Sequence, residues 1–65
     1  MKAKYFPDTD TLLLQFSDEV VIDTYDLNQN VLVEVDKQGR VVAMTVEHAK
    51  DQTDVTEFSY QLAAV

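Results

Sequence analysis

The sequence predicts a mostly-β domain, an antiparallel meander of five or six strands with little helix. Segments in which apolar and polar residues alternate, the period of a strand, recur along the chain. Polar turn residues separate these segments at close, regular intervals. The length of 65 residues indicates one domain, 1–65, and a single Gly and a single Pro argue against a linker. Two variants of this fold stay open: a sheet curled into a half-barrel, and a sheet with one C-terminal helix.

The first two strands are expected over Lys2–Phe6 and Thr11–Phe16. Pro7 suits the second position of a type I turn between them, because its ring fixes φ. Asp10 closes the same turn, where an aspartate side chain can accept hydrogen bonds from nearby backbone N–H groups. The sequence therefore predicts a tight hairpin at the start of the chain.

A third strand is expected over Val20–Leu27, which is β-branched and aromatic but alternates poorly. Asn28-Gln29-Asn30 then turns the chain, and Asn tolerates the left-handed conformation that such turns need. The fourth strand, Val31–Val35, alternates cleanly. It leads into a loop in which Asp36 and Gly39 fit a type I turn followed by a glycine bulge.

The fifth strand, Arg40–Glu47, is apolar on both faces. Val41 and Ala43 lie on one face, and Val42, Met44 and Val46 lie on the other. A strand of this kind is central in its sheet and covered on both sides.

The C-terminal part of the chain has two interpretations. His48–Asp54 is polar and predicts an irregular or single-turn connection. From Glu57 onward, Phe58, Tyr60, Leu62 and Ala64 alternate with Glu57, Ser59, Gln61 and Ala63, which favours a sixth strand. The competing interpretation is a helix capped by Asp54, with an apolar stripe of Val55, Phe58, Leu62 and Val65.

The order of these landmarks resembles a prokaryotic family of short proteins, domain-of-unknown-function family 2283. The resemblance spans residues 5 to 49 and is carried by Tyr5, Pro7, Asp10, Leu12, Leu14, Asp36, Gly39, Val41, Val42, Val46 and Ala49. The chain departs from the family pattern at four positions, Phe6, Glu34, Ala43 and Thr45. The resemblance implies a small β-rich fold and supplies no activity, ligand or catalytic residue. Some members are thought to be encoded beside small toxin-like proteins, which suggests an antitoxin-like role.

The charge and composition of the chain limit the classes of partner and the cellular location that we expect. Twelve acidic and five basic residues give a net charge of −7, which disfavours nucleic acid and anionic membranes and leaves a basic protein partner open. The absence of Cys fits a reducing compartment. The first residues lack the apolar core of a signal peptide, and no apolar run is long enough to span a membrane. The expected location is the cytoplasm.

The residues that could perform chemistry are few. His48 is the one histidine, and a zinc site needs three or four ligands, so we expect an ordinary surface histidine. The acidic pairs Asp8/Asp10 and Glu34/Asp36 do not match a calcium loop. No nucleophile elbow or glycine-rich phosphate loop is present. We therefore predict no catalytic residue, no metal and no cofactor.

The expected function is that of a non-enzymatic protein-interaction or self-associating module, such as a small regulatory or antitoxin-like subunit. A domain this small buries only about 60% of its unfolded surface, so a second copy would add stability. We expect a homodimer or higher homo-oligomer. The interface candidates are Val42, Met44 and Val46, or instead Val41 and Ala43 together with Val31–Val35. The alternative function is a small-molecule or cation-binding domain.

Overall fold

The computed structural model of the protein describes residues 1–64 and contains one antiparallel sheet of five strands. A single-turn helix, α1, follows the sheet. The elements are β1 Lys2–Phe6, β2 Thr11–Gln15, β3 Asp23–Asn28, β4 Val31–Val35, β5 Val41–Glu47 and α1 Ala49–Gln52. The predicted class, a mostly-β antiparallel sheet with little helix, is confirmed. No helix in the described part of the chain is long and apolar enough to cross a membrane.

The strands lie in the order β1-β2-β5-β4-β3, so β5 is central, as its two apolar faces predict. Three neighbouring pairs, β1–β2, β3–β4 and β4–β5, are hairpins of consecutive strands. The fourth pair, β2–β5, is not consecutive, and here the sheet departs from a sequential meander. The chain leaves β2 and reaches the opposite edge through residues 16–22, which we call the crossover. β5, which is apolar on both faces, has a neighbour on each side, and the exposed strands β1 and β3 form the edges.

The chain turns at the three predicted places, but the left-handed conformation expected at Asn28-Gln29-Asn30 is wrong, because Asp10 and His48 are the only non-glycine residues of 1–64 with a positive φ. Residues 7–10, which include Pro7, join β1 to β2, and Asp10 has a left-handed backbone with φ 54°. In the β4–β5 loop, the N–H of Gly39 donates to the carbonyl of Asp36 at 3.0 Å, and Gly39 has φ 79°. Between β3 and β4, the N–H of Asn30 donates to Oδ1 of Asn28 at 2.7 Å.

Phe16 and Arg40 lie just outside β2 and β5, and larger differences from the prediction occur at the third strand and in the C-terminal part of the chain. The third strand begins at Asp23 and not at Val20, because the preceding residues belong to the crossover; the N–H of Ile22 is bonded to the Val35 carbonyl at 2.9 Å. The sixth strand is wrong, since residues 57–64 have no regular structure and make no backbone hydrogen bond to the sheet. The competing helix is also wrong over 55–64, and its last stripe residue, Val65, lies outside the described residues.

The molecule is a thin layer with a small core. The buried apolar residues are Val35, Val42, Ala43, Val46 and Ala49, and no large side chain is fully buried among the described residues. The accessible surface is 5245 Å², whereas a compact protein of this mass exposes about 4,200 Å². The radius of gyration is 12.8 Å, compared with about 10.7 Å for a compact chain of this length. A single copy therefore leaves about 1,000 Å² more surface in water than a compact domain of this mass.

Candidate interaction surface

One face of the sheet is apolar from edge to edge. Side chains of directly paired residues lie on the same face of a sheet. Leu14 pairs with Met44, which pairs in turn with Val33, and Leu12, Val46 and Val31 form a second such row. Tyr5 extends the second row onto β1 through its pairing with Leu12. Ala3 and Tyr25 extend the first row onto β1 and β3 through their pairings with Leu14 and Val33. We call this surface the apolar face; its members are Ala3, Tyr5, Leu12, Leu14, Tyr25, Val31, Val33, Met44 and Val46.

The apolar face is incompletely covered in a single copy. Its residues on β2, β4 and β5 have a strand on each side, yet all except Val46 are only half-buried. The main contacts between elements of the described chain are those between neighbouring strands, so the exposed part of these side chains points out of the sheet plane. Large contiguous apolar patches are uncommon on the surfaces of monomeric proteins.

The opposite face is mixed, and the crossover lies over part of it. Its charged residues are Lys2, Lys4, Asp26, Glu34 and Glu47. Leu13 pairs with Thr45, and Gln15 with Ala43, which pairs with Glu34. Crossover residues Asp18, Glu19 and Val21 line an open cleft of about 270 Å³ together with residues of this face, including Leu13, Glu34 and Ala43. We call the part of this surface around Glu34, Asp18 and Glu19 the acidic face. The sheet is thus amphipathic, and the apolar face is the one without a crossing segment.

The three predicted interface residues differ in how exposed they are. Met44 is half-buried at the centre of the apolar face, between Leu14 and Val33. Val46 is buried, and Val42 is only 4% exposed, so the chain itself covers both. Val42 is the extra residue of a bulge, since Val35 pairs with Val41 and Glu34 with Ala43. Of the three, Met44 is the residue most available to a partner.

The alternative grouping of Val31–Val35 with Val41 and Ala43 is wrong for the regular part of β4. Val31 and Val33 pair with Val46 and Met44, so they belong to the apolar face. Alternation along each strand gives the two faces of that strand but not the register between strands. The bulge at Val42 also shifts the alternation at the start of β5.

Asp36 holds the β4–β5 loop together and takes no part in either face. It is 5% exposed, and its Oδ1 accepts the N–H groups of Gln38 at 2.9 Å and Arg40 at 3.0 Å. The Arg40 Nε lies 3.2 Å from its other oxygen. Burial raises the pKa of Asp36, but the two N–H groups and the guanidinium together outweigh it and lower the pKa below its ordinary value. Its role is structural, as predicted for a turn residue.

Asp10 connects three elements, which the sequence did not reveal. Its Oδ1 accepts the Tyr5 hydroxyl at 2.7 Å and the Lys50 N–H at 3.1 Å, while its carbonyl accepts the Ala49 N–H at 2.9 Å. The hydrogen bond to the Asp10 carboxylate raises the pKa of Tyr5. Asp10 therefore fixes the start of α1 to the β1–β2 turn. Tyr5, Asp10 and Ala49 all belong to the quoted family pattern, which is the one signal that could have linked them.

His48 directly precedes Ala49, which is bonded to Asp10. Like Asp10, His48 has a left-handed backbone, with φ 54°. Its Nδ1 is 3.0 Å from Oδ1 of Asn30, and both residues line an open polar depression with Gln29, Asp51 and Gln52. Within residues 1–64, no three His, Cys, Asp or Glu side chains are grouped so as to hold a metal ion. The contact between His48 and Asn30 joins the end of β5 to the β3–β4 turn.

These features define a class: a small open β-sheet with one apolar face, one acidic face and rigid turns held by aspartates. The profile of the family described as protein of unknown function DUF2283 matches residues 2–50, which is most of the chain. The protein belongs to this family. No curated protein and no solved structure matches the chain.

Proposed function

We propose that this protein is a non-enzymatic self-association module whose working form is a homo-oligomer, most simply a twofold dimer formed through the apolar face. The observation that carries the proposal is the half-exposed apolar face on a layer that has no second layer in its described residues. Sheets with one apolar face become stable domains by packing that face on another element. A second copy offers the same face.

The exposed area is sufficient for such a dimer. A stable interface buries about 800 Å² on each partner. Each chain exposes about 1,000 Å² beyond a compact protein of its mass, a surplus to which the apolar face and the exposed residues 56–64 both contribute, and a standard interface is of comparable size. In a twofold interface the same patch meets itself, and a residue at its centre lies near the axis. Met44 occupies that position on the apolar face.

In this dimer the acidic face stays in water. Glu34 lies on that face, and Asp18 and Glu19 of the crossover lie over it. This surface is complementary to a basic protein partner, and such binding would weaken as the salt concentration rises. A small regulatory or antitoxin-like subunit in the prokaryotic cytoplasm would combine both surfaces, with the apolar face for its own copy and the acidic face for its target.

The test is the molar mass in solution, measured by size-exclusion chromatography with light scattering over a range of micromolar concentrations. We expect the wild-type mass to exceed one chain, and Met44→Glu to reduce it toward 7.4 kDa while circular dichroism still shows a folded sheet. A carboxylate at the centre of a dry interface has no partner charge, so the dimer would lose the contact.

Thr45→Glu is the matched control, because it adds the same charge to the next residue of β5 on the opposite face. It should leave the mass of the dimer unchanged. A monodisperse wild type of 7.4 kDa at every concentration would contradict the proposal.

A further inference from the structure

The C-terminal segment, residues 53–64, is rich in exposed apolar side chains. Phe58 is 59% exposed, Tyr60 70% and Leu62 85%, although the two aromatic side chains are among the largest in the chain. They alternate with Glu57, Ser59 and Gln61, so in an extended conformation all three apolar side chains point the same way. Aromatic residues are enriched at the centres of protein interfaces. We call residues 53–64 the C-terminal arm.

The position of the arm is fixed at its start. Asp10 binds the first turn of α1 to the β1–β2 turn, and the Thr53 N–H closes α1 on the Ala49 carbonyl at 2.8 Å. The arm therefore leaves from the end of the sheet where β1 finishes. Phe58 and Tyr60 share an open cleft with Met1, which precedes the first residue of β1. Between Thr53 and Phe58 the arm thus passes from the end of the sheet where β1 finishes to the end where β1 starts.

The arm is long enough, when extended, to cross the whole molecule. Residues 54–64 span up to about 36 Å when extended, which equals the longest dimension of the molecule, 35 Å. Since no backbone hydrogen bond ties residues 54–64 to the sheet, a change in their path breaks no ladder of the described fold. The family profile ends at residue 50, so the arm lies outside the part of the chain that matches the family.

We infer that the C-terminal arm of one copy packs Phe58, Tyr60 and Leu62 against the apolar face of the second copy. This inference rests on the proposed dimer and names a further contact within it. The two aromatic side chains alone can bury about 300 Å² or more, a large part of what a standard interface needs from one partner. The occupant of the outer part of the apolar face, toward β1, is then the arm of the partner.

The first test compares two variants of the full chain. One replaces the three apolar side chains, Phe58→Ser, Tyr60→Ser and Leu62→Ser, and the other replaces their polar neighbours, Ser59→Ala and Gln61→Ala. Analytical ultracentrifugation should show a dimer dissociation constant at least about tenfold higher for the first variant, as expected when buried aromatic anchors are lost. The second variant should dissociate like the wild type.

The outcomes separate the inference from the proposed function. A monomeric wild type would contradict both. A wild-type dimer that Met44→Glu dissociates, and that the triple serine variant leaves unchanged, would overturn the arm contact and leave the dimer standing. Equal weakening by both arm variants would also overturn it, because the effect would not depend on the apolar side chains.

A second test determines which chain the arm contacts. The protein has no Cys, so introduced cysteines report on one pair of positions. Leu62→Cys chains mixed with Leu14→Cys chains should form a mixed disulfide under mild oxidation, identified by mass spectrometry of the linked peptides. A chain that carries both Leu14→Cys and Leu62→Cys is the comparison. If this chain forms its disulfide internally, and the mixture of the two single variants forms none, the arm covers its own sheet and the inference is wrong.

Discussion

At the scale of single residues, Gly39 is held in a conformation that other residues avoid. Its φ is 79°, and an added Cβ would meet no atom within 4 Å. The cost of a side chain there is therefore backbone strain and not collision. We predict that Gly39→Val lowers the free energy of unfolding by about 1–2 kcal/mol, measured by urea denaturation at fixed protein concentration.

Gly39→Asn is the matched control for this prediction, because Asn enters the left-handed region more readily than Val. It should cost clearly less than the valine. Unfolding of Gly39→Val at the wild-type midpoint would show that the loop does not need a left-handed residue.

Asp36 gives the fold a dependence on acid pH. Its pKa in the folded chain lies below the ordinary 3.8, so the unfolded chain binds the proton more readily. The stability that the carboxylate provides is therefore complete above the ordinary pKa and is lost as the pH falls through the lower, folded value. Wild type should be more stable than Asp36→Asn near neutral pH.

The measurement is the free energy of unfolding of both proteins between about pH 7 and pH 2. We expect a constant difference down to the ordinary pKa of 3.8 and a shrinking one below it. Asp54, whose pKa is also lowered, is present in both proteins and cancels from the comparison. A difference that grows as the pH falls would contradict the assigned role of the Asp36 carboxylate.

At the scale of elements, the sequence predicted what depends on neighbours along the chain. β1 and β4 lie where alternation placed them, and the loop from Asp36 to Gly39 has the expected turn. What the sequence could not predict depends on register. The bulge at Val42 and the pairing of Val33 with Met44 follow from contacts between strands, and these decided which side chains form the apolar face.

The C-terminal arm is a second case in which sequence alternation was not enough to predict the structure. The alternation of Phe58, Tyr60 and Leu62 predicted a strand, yet a strand exists only where an edge supplies hydrogen bonds. One copy provides none to these residues. Asp10 was predicted as a turn residue only, because its contacts with Ala49 and Lys50 join positions about forty residues apart.

At the scale of the whole molecule, the sheet is a layer with two unlike surfaces. β5 has neighbours on both sides within the sheet, but several of its side chains keep partial exposure above it. The prediction that this strand is covered on both faces is therefore wrong for a single copy. The dimer, with the arm of the partner, is the arrangement in which it would be fulfilled.

The strand order also sets a sequence of events during folding. The three hairpins close over a few residues each, whereas the β2–β5 ladder joins Gln15 to Ala43, 28 positions apart. Closing the longer loop costs more chain entropy, so the β3–β4–β5 unit and the β1–β2 hairpin should form before they dock. In stopped-flow experiments at fixed protein concentration, Leu32→Ala in β4 should slow folding, and Leu13→Ala in β2 should mainly accelerate unfolding. The opposite pattern would mean that docking comes first.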